Sequence, residues 1–202
     1  MDRRRPAIVL AALALSLLVG APAGAENNYP DPDSILVNGT FNATPTQAVP
    51  IRGWTTNGTI RTERFGTRSF PYVAYGRKYR GGARYLSCHG GSGGSVTQVV
   101  GIPPNRDSRF WRAKFVVSQG GILGHRVTVK VEALSAGGTV LEEAHQTKAL
   151  DVTNHYKKSF TSIPLRPGTV RVRVTLRLRP KVGATRCKVV ADTANLTIVR
   201  AS

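Results

Sequence analysis

Two stretches of this chain alternate apolar and polar residues with a strict period of two. Val127, Val129, Val131 and Ala133 interleave with Arg126, Thr128, Lys130 and Glu132. Val170, Val172, Val174, Leu176 and Leu178 interleave in the same way with Arg171, Arg173, Thr175, Arg177 and Arg179. Successive side chains of a strand point to opposite faces, so each pattern predicts a strand with one buried and one wet face. Shorter runs of β-branched and aromatic residues, broken by Gly, Pro and Asn, extend this reading from Ile35 to Val199 with no helical period. The predicted strands cover 35–41, 84–88, 96–100, 110–118, 126–134, 139–145, 158–163, 170–178, 187–190 and 194–199. Ala136-Gly137-Gly138 and Pro167-Gly168 supply reversals between them. So many short strands predict an all-β chain of two packed antiparallel sheets, a β-sandwich. Segment 55–82 mixes turn residues, aromatics and arginines without a steady period and reads as loop.

The first residues read differently. Arg3, Arg4 and Arg5 precede an apolar stretch from Ala7 to Val19, and Ala23-Gly24-Ala25 follows at a turn-rich boundary. That order predicts a secretory signal peptide over 1–25, because the apolar run is shorter than the roughly 20 residues that cross a bilayer. Residues 26–34 form a Pro-, Asn- and Asp-rich lead with too little apolar surface to order itself. Residues 35–202 make one sandwich domain of ordinary size, and charge or turn residues interrupt every later apolar stretch, so no transmembrane segment is expected. Cys88 and Cys187 are the two cysteines, both in the exported part. An even pair in an oxidising compartment predicts a disulfide.

Charge changes the picture most. The chain carries a net charge of +18, and about +16 remains after the predicted leader is removed. Such a balance points to an anionic partner outside the cell.

Signatures of catalysis are missing from the sequence. It has no Gly-x-Ser-x-Gly elbow, no His-Glu-x-x-His pair and no Gly-Lys-Ser/Thr phosphate loop. Gly90-Gly91-Ser92-Gly93-Gly94 lacks the lysine of a phosphate loop and reads as a flexible hairpin between strands. Sugar hydrolysis needs two carboxylates held across a cleft, and the neighbours Glu142 and Glu143 point to opposite faces of a strand. The histidines His89, His125, His145 and His155 lack the short spacing of metal ligands. No enzyme and no metal site are expected.

A series of short motifs carries a family resemblance. Val37-Asn38-Gly39-Thr40-Phe41, Gly53-Trp54-Thr55, Ala83-Arg84-Tyr85-Leu86-Ser87, Ser95-Val96-Thr97-Gln98-Val99-Val100, and then 169–178 followed by 192–199 occur in an order that resembles the galactose-binding-like jelly rolls. These include the carbohydrate-binding modules of bacterial glycoside hydrolases. The resemblance implies a jelly-roll sandwich whose opening strand lies near its closing strand, with ligands met by end loops or an exposed sheet face. Many members also hold a structural calcium through an acidic residue after the opening Phe and an Asp pair before the last strand. Asn42 and the single Asp192 stand at those places here, which leaves the oxygen set incomplete for calcium, and no cofactor is expected. The Asn-x-Thr sequons at Asn38, Asn42, Asn57 and Asn195 read as turn and strand residues in such a module.

Two basic groups are the candidate binding residues. Arg171, Arg173, Arg177 and Arg179 share the wet face of one strand, where residues two apart lie about 7 Å from each other and only Thr175 interrupts the row. Such a row of like charges is unfavourable unless an anion relieves it, and the chain has few acids to spare. In the irregular segment, Arg61, Arg64, Arg68 and Arg77 interleave with Tyr72, Tyr75 and Tyr79. Aromatic faces stack on sugar rings, and guanidinium forks take carboxylate, sulfate or phosphate oxygens. Trp54 is expected in the core, and Tyr85 and Phe70 are alternatives for plugging the sandwich end. The expectation is a non-catalytic secreted binder of an acidic polysaccharide, with a general binder of polyanions, nucleic acid or anionic membrane, as the competing reading.

Overall fold

The computed structural model describes residues 33–43, 50–66, 82–88, 90–107, 110–151 and 156–201. The predicted signal peptide and most of the lead lie outside the described residues. Ten strands are described: β1 Thr55–Gly58, β2 Arg61–Arg64, β3 Arg84–Ser87, β4 Gly94–Gly101, β5 Trp111–Gly121, β6 Arg126–Leu134, β7 Val140–Ala149, β8 Lys157–Pro164, β9 Arg171–Arg179 and β10 Val189–Arg200. They form two five-stranded antiparallel sheets, the first in the order β1-β4-β9-β6-β7 and the second in the order β2-β3-β10-β5-β8. The two-sheet β-sandwich expected from the alternation is the observed architecture, a jelly roll.

The alternation also fixes what lies between the sheets. Val127, Val129, Val131 and Ala133 from β6 meet Val172, Val174, Leu176 and Leu178 from β9 and Phe115, Val117, Ala191 and Leu196 from the second sheet in one buried core. Val170 is a correction. It precedes β9 and is 42% exposed, so the buried row begins at Val172.

The predicted opening strand 35–41 is not a strand. Its backbone turns at Asn38 (φ 54°) and Phe41 (φ 58°), left-handed conformations that no continuous strand tolerates. It still runs beside the closing strand, because Ile35 N donates to Leu196 O at 2.9 Å and Ala194 N to Gly39 O at 2.9 Å. A Cβ at Gly39 would run into the carbonyl oxygen of Ala194, so only glycine permits this approach. Phe41 is fully buried and packs on Trp54, with ring centroids 5.5 Å apart. Trp54 is thus a core residue, as expected.

Segment 55–82 is corrected in part. Its start folds into β1 and β2, two four-residue edge strands. β1 has hardly any buried side chain of its own and is held by its pairing with β4. That dependence on a partner is why no hydrophobic period marks it. The predicted strands 187–190 and 194–199 are one strand, β10, with a bulge between Asp192 and Asn195 and a positive φ of 50° at Thr193. Cys88 and Cys187 are joined as predicted, with Cα atoms 5.5 Å apart and 99 positions apart in sequence.

Candidate functional site

The exposed face of the first sheet is a lattice of polar side chains set by strand register. One cross-strand row runs Asn57, Ser95, Arg177, Thr128, Thr147, and the next runs Thr55, Thr97, Thr175, Lys130, His145. The third places Val99, Arg173, Glu132 and Glu143 side by side. Threonine hydroxyls pair across strands, Thr97 with Thr175 at 3.1 Å and Thr128 with Thr147 at 2.8 Å. The arginines of β9 face outward and its apolar residues face in, as the alternation requires.

The arginine row is not an unrelieved line of like charge. Arg173 donates through Nε and Nη2 to the two carboxylate oxygens of Glu132, at 2.7 Å each. Lys130 bridges Glu132 at 3.0 Å and Glu143 at 2.9 Å. These hydrogen bonds, that of Arg173 foremost, hold the Glu132 carboxyl below the usual carboxylate range against the opposing push of burial. The Glu143 and Glu132 bonds in turn raise Lys130. Arg171 donates to Ala136 O at 2.8 Å. Glu142 leaves this face and accepts from Arg166 at 2.8 Å, so the adjacent glutamates do diverge.

Arg177 and Arg179 differ from the rest of the row. Both are exposed, and among the described residues neither guanidinium has a hydrogen-bond or ion-pair partner. Across β6 they face Thr128 and Arg126 rather than a carboxylate. They line an open cleft of about 510 Å³ together with Asn57, Ser95 and the backbone of Gly93 and Gly94. The glycine run was expected to be a flexible hairpin, and that is corrected. It crosses from β3 in one sheet to β4 in the other, and it is pinned there. Thr59 N donates to Gly93 O at 3.0 Å, Gly93 N donates to Thr59 Oγ1 at 3.1 Å, and Cys187 N donates to Gly91 O at 2.6 Å. The cleft therefore has a rigid rim beside two uncommitted guanidinium groups. The sequence reading missed Asn57, Ser95 and Gly93 to Gly94, and the crowding of glycines before a predicted strand was the available signal for close backbone packing.

A second cleft, of about 490 Å³, lies at the β1–β4 edge against Trp54, Thr97 and Gln98. Its glutamine is spent. Gln98 donates to Val37 O at 2.9 Å and to Gly53 O at 2.8 Å, and accepts from Val37 N at 2.7 Å. Trp54 is 4% exposed and offers no face for stacking.

Arg61 and Arg64, the described members of the other basic group, are not on this face. Arg61 lies on β2 in the second sheet, where it donates to Glu63 at 2.9 Å, and Arg64 ends the same strand opposite Arg84. Tyr85, fully buried, donates to the other Glu63 oxygen at 3.0 Å and packs on Phe65 at 4.8 Å. Arg68, Tyr72, Tyr75, Arg77 and Tyr79 lie outside the described residues, as do Phe70, His89 and His155.

Asn42 and Asp192 stand at the positions that the resemblance ties to calcium. Asn42 Oδ1 accepts from the amides of Ala83 (2.8 Å) and Arg84 (2.9 Å), and its carbonyl accepts from the Arg84 guanidinium at 2.7 Å. Both oxygens of Asn42 are thus engaged by nitrogen donors. Asp192 is fully buried and its one mapped bond is from Thr193 N, at 2.7 Å. Burial pushes its carboxyl well above the ordinary aspartate value, against the pull of that bond. Among the described residues no group of three or more His, Cys, Asp or Glu side chains is placed to hold a metal.

No protein-family model matches the chain, and no curated protein matches it significantly. Solved structures do. A Stig cyclase, Fisc from Fischerella sp. TAU, is 16% identical and superposes with a TM-score of 0.59 over 84% of this chain and 98% of its own. The carbohydrate-binding module TmCBM61, solved in complex with β-1,4-galactotriose, is 15% identical with a TM-score of 0.55 over 83% of this chain and 99% of its own. The enzymatically active domain of bacteriophage CBA120 tailspike protein 4 is 10% identical with a TM-score of 0.56, and this chain spans 22% of its length. Identities this low speak to architecture alone, and the chain has the jelly-roll β-sandwich fold shared by carbohydrate-binding modules and by domains of enzymes.

Proposed function

We propose that this chain is a secreted, non-catalytic carbohydrate-binding domain that holds an acidic glycan along the exposed face of its first sheet. The observation that carries the reading is the pair Arg177 and Arg179. Along β9 Arg171 and Arg173 are matched, whereas these two guanidinium groups stand uncommitted in a cleft. Their planar forks suit carboxylate, sulfate or phosphate oxygens. Asn57, Ser95 and the threonine rows offer hydroxyl-compatible donors and acceptors beside them, the mixture a polyhydroxylated chain needs. The fold, shared with a module solved on a galactotriose, supports a glycan over other anions. The disulfide supports export.

The non-catalytic reading rests on how this face uses its acids. Glu132 is tied to Arg173 and Lys130, and its carboxyl, held ionised by them, does not serve as a proton donor to a glycosidic oxygen. The loop residues Arg68, Tyr72, Tyr75, Arg77 and Tyr79 remain proposed contacts for the same ligand.

The test is a glycan array at low and high salt, with DNA and anionic liposomes as controls and Arg177→Ser/Arg179→Ser as the variant. Binding of uronic or sulfated glycans that the double substitution sharply weakens supports the reading. Equal binding of DNA and glycan, lost together as salt rises, identifies a general polyanion binder instead, since phosphate-driven affinity falls steeply with salt.

A further inference from the structure

The opposite outer face of the sandwich, on the second sheet, has its own register lattice. Across β10, β5 and β8 the rows are Asp192, Ser118, Lys158; then Asn195, Val116, Phe160; then Thr197, Lys114, Ser162; then Val199, Arg112, Pro164. Phe160 lies in the middle of β8, an edge strand, and is 54% exposed. A wet-face position on an edge strand has no packing need for a phenyl ring, and exposing one to water is unfavourable. Its surroundings are cationic. Lys158 sits two residues away on the same strand, and Lys114 sits on the diagonal across β5, each about 7 Å off. Both lysines are exposed. Arg112 lies one row on and donates to Ser162 at 3.1 Å. The one acid in these rows is Asp192, which is buried and held toward its neutral form.

An aromatic ring bracketed by two ammonium groups on a flat polar face matches one ligand chemistry. The C–H face of a pyranose covers the phenyl ring, and an acidic substituent projecting from the sugar reaches Lys114 or Lys158. A lipid surface fits less well. Amphipathic anchors bury a continuous apolar face about 5–10 Å into the interface. Here Phe160 and Val116 are separated from Val199 by Lys114 and Arg112, and a strand face does not project that far.

We infer that Phe160, Lys114 and Lys158 form a second site for an acidic sugar ring, so that the protein carries two glycan-binding faces and bridges two polysaccharide chains. The faces lie on opposite sides of two stacked sheets about 10 Å apart, so a stiff polymer on one does not reach the other. This inference rests on the proposed glycan binding at Arg177 and Arg179, and the experiment separates the two.

The experiment mixes the full exported protein with polygalacturonate and follows light scattering across protein-to-polymer ratios, beside a direct binding titration. The parent should scatter strongly near equivalence and clear again in excess polymer. Phe160→Ser and, separately, Lys114→Ser/Lys158→Ser should keep binding through the first sheet but lose the scattering, with total affinity falling about two- to tenfold. Phe160→Trp, which keeps a stacking face, should restore it. Thermal melts identical to the parent exclude misfolding as the cause. Scattering that persists in both lysine and phenylalanine variants overturns the second site and leaves the first intact. A parent that binds no glycan at all removes the proposed function and this inference together. If Phe160→Ser loses binding to phosphatidylcholine–phosphatidylserine vesicles while polygalacturonate scattering is unchanged, the face is a membrane surface and the inference is wrong.

Discussion

Arg173 and Glu132 face each other across β9 and β6, and both nitrogens of one edge of the guanidinium meet the two oxygens of the carboxylate at 2.7 Å. Glu132 is 4% exposed, and this pairing sets it apart from a surface ion pair.

Arg173→Ser should therefore destabilise the fold by about 1–3 kcal/mol, because it strips a buried carboxylate of its bidentate donor and leaves Lys130. Arg177→Ser, with no partner to lose, should stay within about 0.5 kcal/mol of the parent. The pair also has a pH signature. The Glu132 value is lowered on folding, so the folded state binds fewer protons, and the stabilisation is complete above the ordinary value of 4.5 and disappears as pH falls through the folded value. Urea midpoints for parent and Arg173→Ser should converge on acidification below that point. A constant gap down to strong acid would contradict the assignment.

Gly93 has a φ of +94°, and a Cβ there would run into the carbonyl oxygen of Leu178. Gly93→Ala should cost more than about 1 kcal/mol, from the backbone conformation and the clash together. It should also weaken glycan binding at the cleft, since the rim shifts away from Arg179. Gly138→Ala is the control. Its φ is +85°, but nothing lies within 4 Å of the added Cβ, so it should lose stability without losing binding.

Asp192 carries a carboxyl that burial raises above its ordinary value of 3.8. The folded state keeps a proton that the unfolded chain releases, so its stability is undiminished below 3.8 and declines as pH rises beyond it. Asp192→Asn keeps an acceptor for Thr193 N and removes the ionisable group. It should raise Tm at neutral pH, by roughly 2–4 °C for each kcal/mol gained, and should match the parent in acid. A variant less stable than the parent at pH 7 would mean that the carboxylate has an ionic partner.

His125 is 3% exposed, and its Nδ1 accepts from Lys188 N at 3.3 Å. Burial first, then the charges of Lys181 and Lys188, hold its value below 6.5. A depressed histidine binds fewer protons folded than unfolded, so stability is complete above 6.5 and is lost as pH falls below it. His125→Asn, which offers an oxygen near the Nδ1 position, should flatten this loss in chemical denaturation between neutral and mildly acidic pH. An unchanged slope in the variant would assign the loss to another group.

The legible parts of the fold were those whose signal is local. The bounds of β6 matched its alternation, and β9 lost Val170 from its start, because an exposed residue before a strand can continue an apolar period by chance. β1 and β2 were read as loop, since Thr55 to Gly58 buries almost nothing and pairs only because β4 is there. The 35–41 segment looked like a strand, but its Asn38 and Phe41 turn to let Phe41 reach Trp54. β10 was split at Asp192 to Asn195 because a bulge breaks the period without breaking the pairing.

The sequence by itself determined an all-β sandwich, the inward valines and outward arginines of β9, the basic surface and the Cys88–Cys187 pair, since period, composition and cysteine number need no knowledge of neighbours. Tertiary structure alone decided which arginines are uncommitted. Arg171, Arg173, Arg177 and Arg179 are equivalent along their own strand, and they become different only when register sets Glu132 beside Arg173 and Thr128 beside Arg177. It likewise placed Arg61 with Glu63 on the opposite sheet and brought Gly93 and Asn57 to the rim of the Arg177 cleft. Charge pairing acts over a few ångströms in space, and Arg173 and Glu132, which it joins here, lie 41 positions apart in the chain.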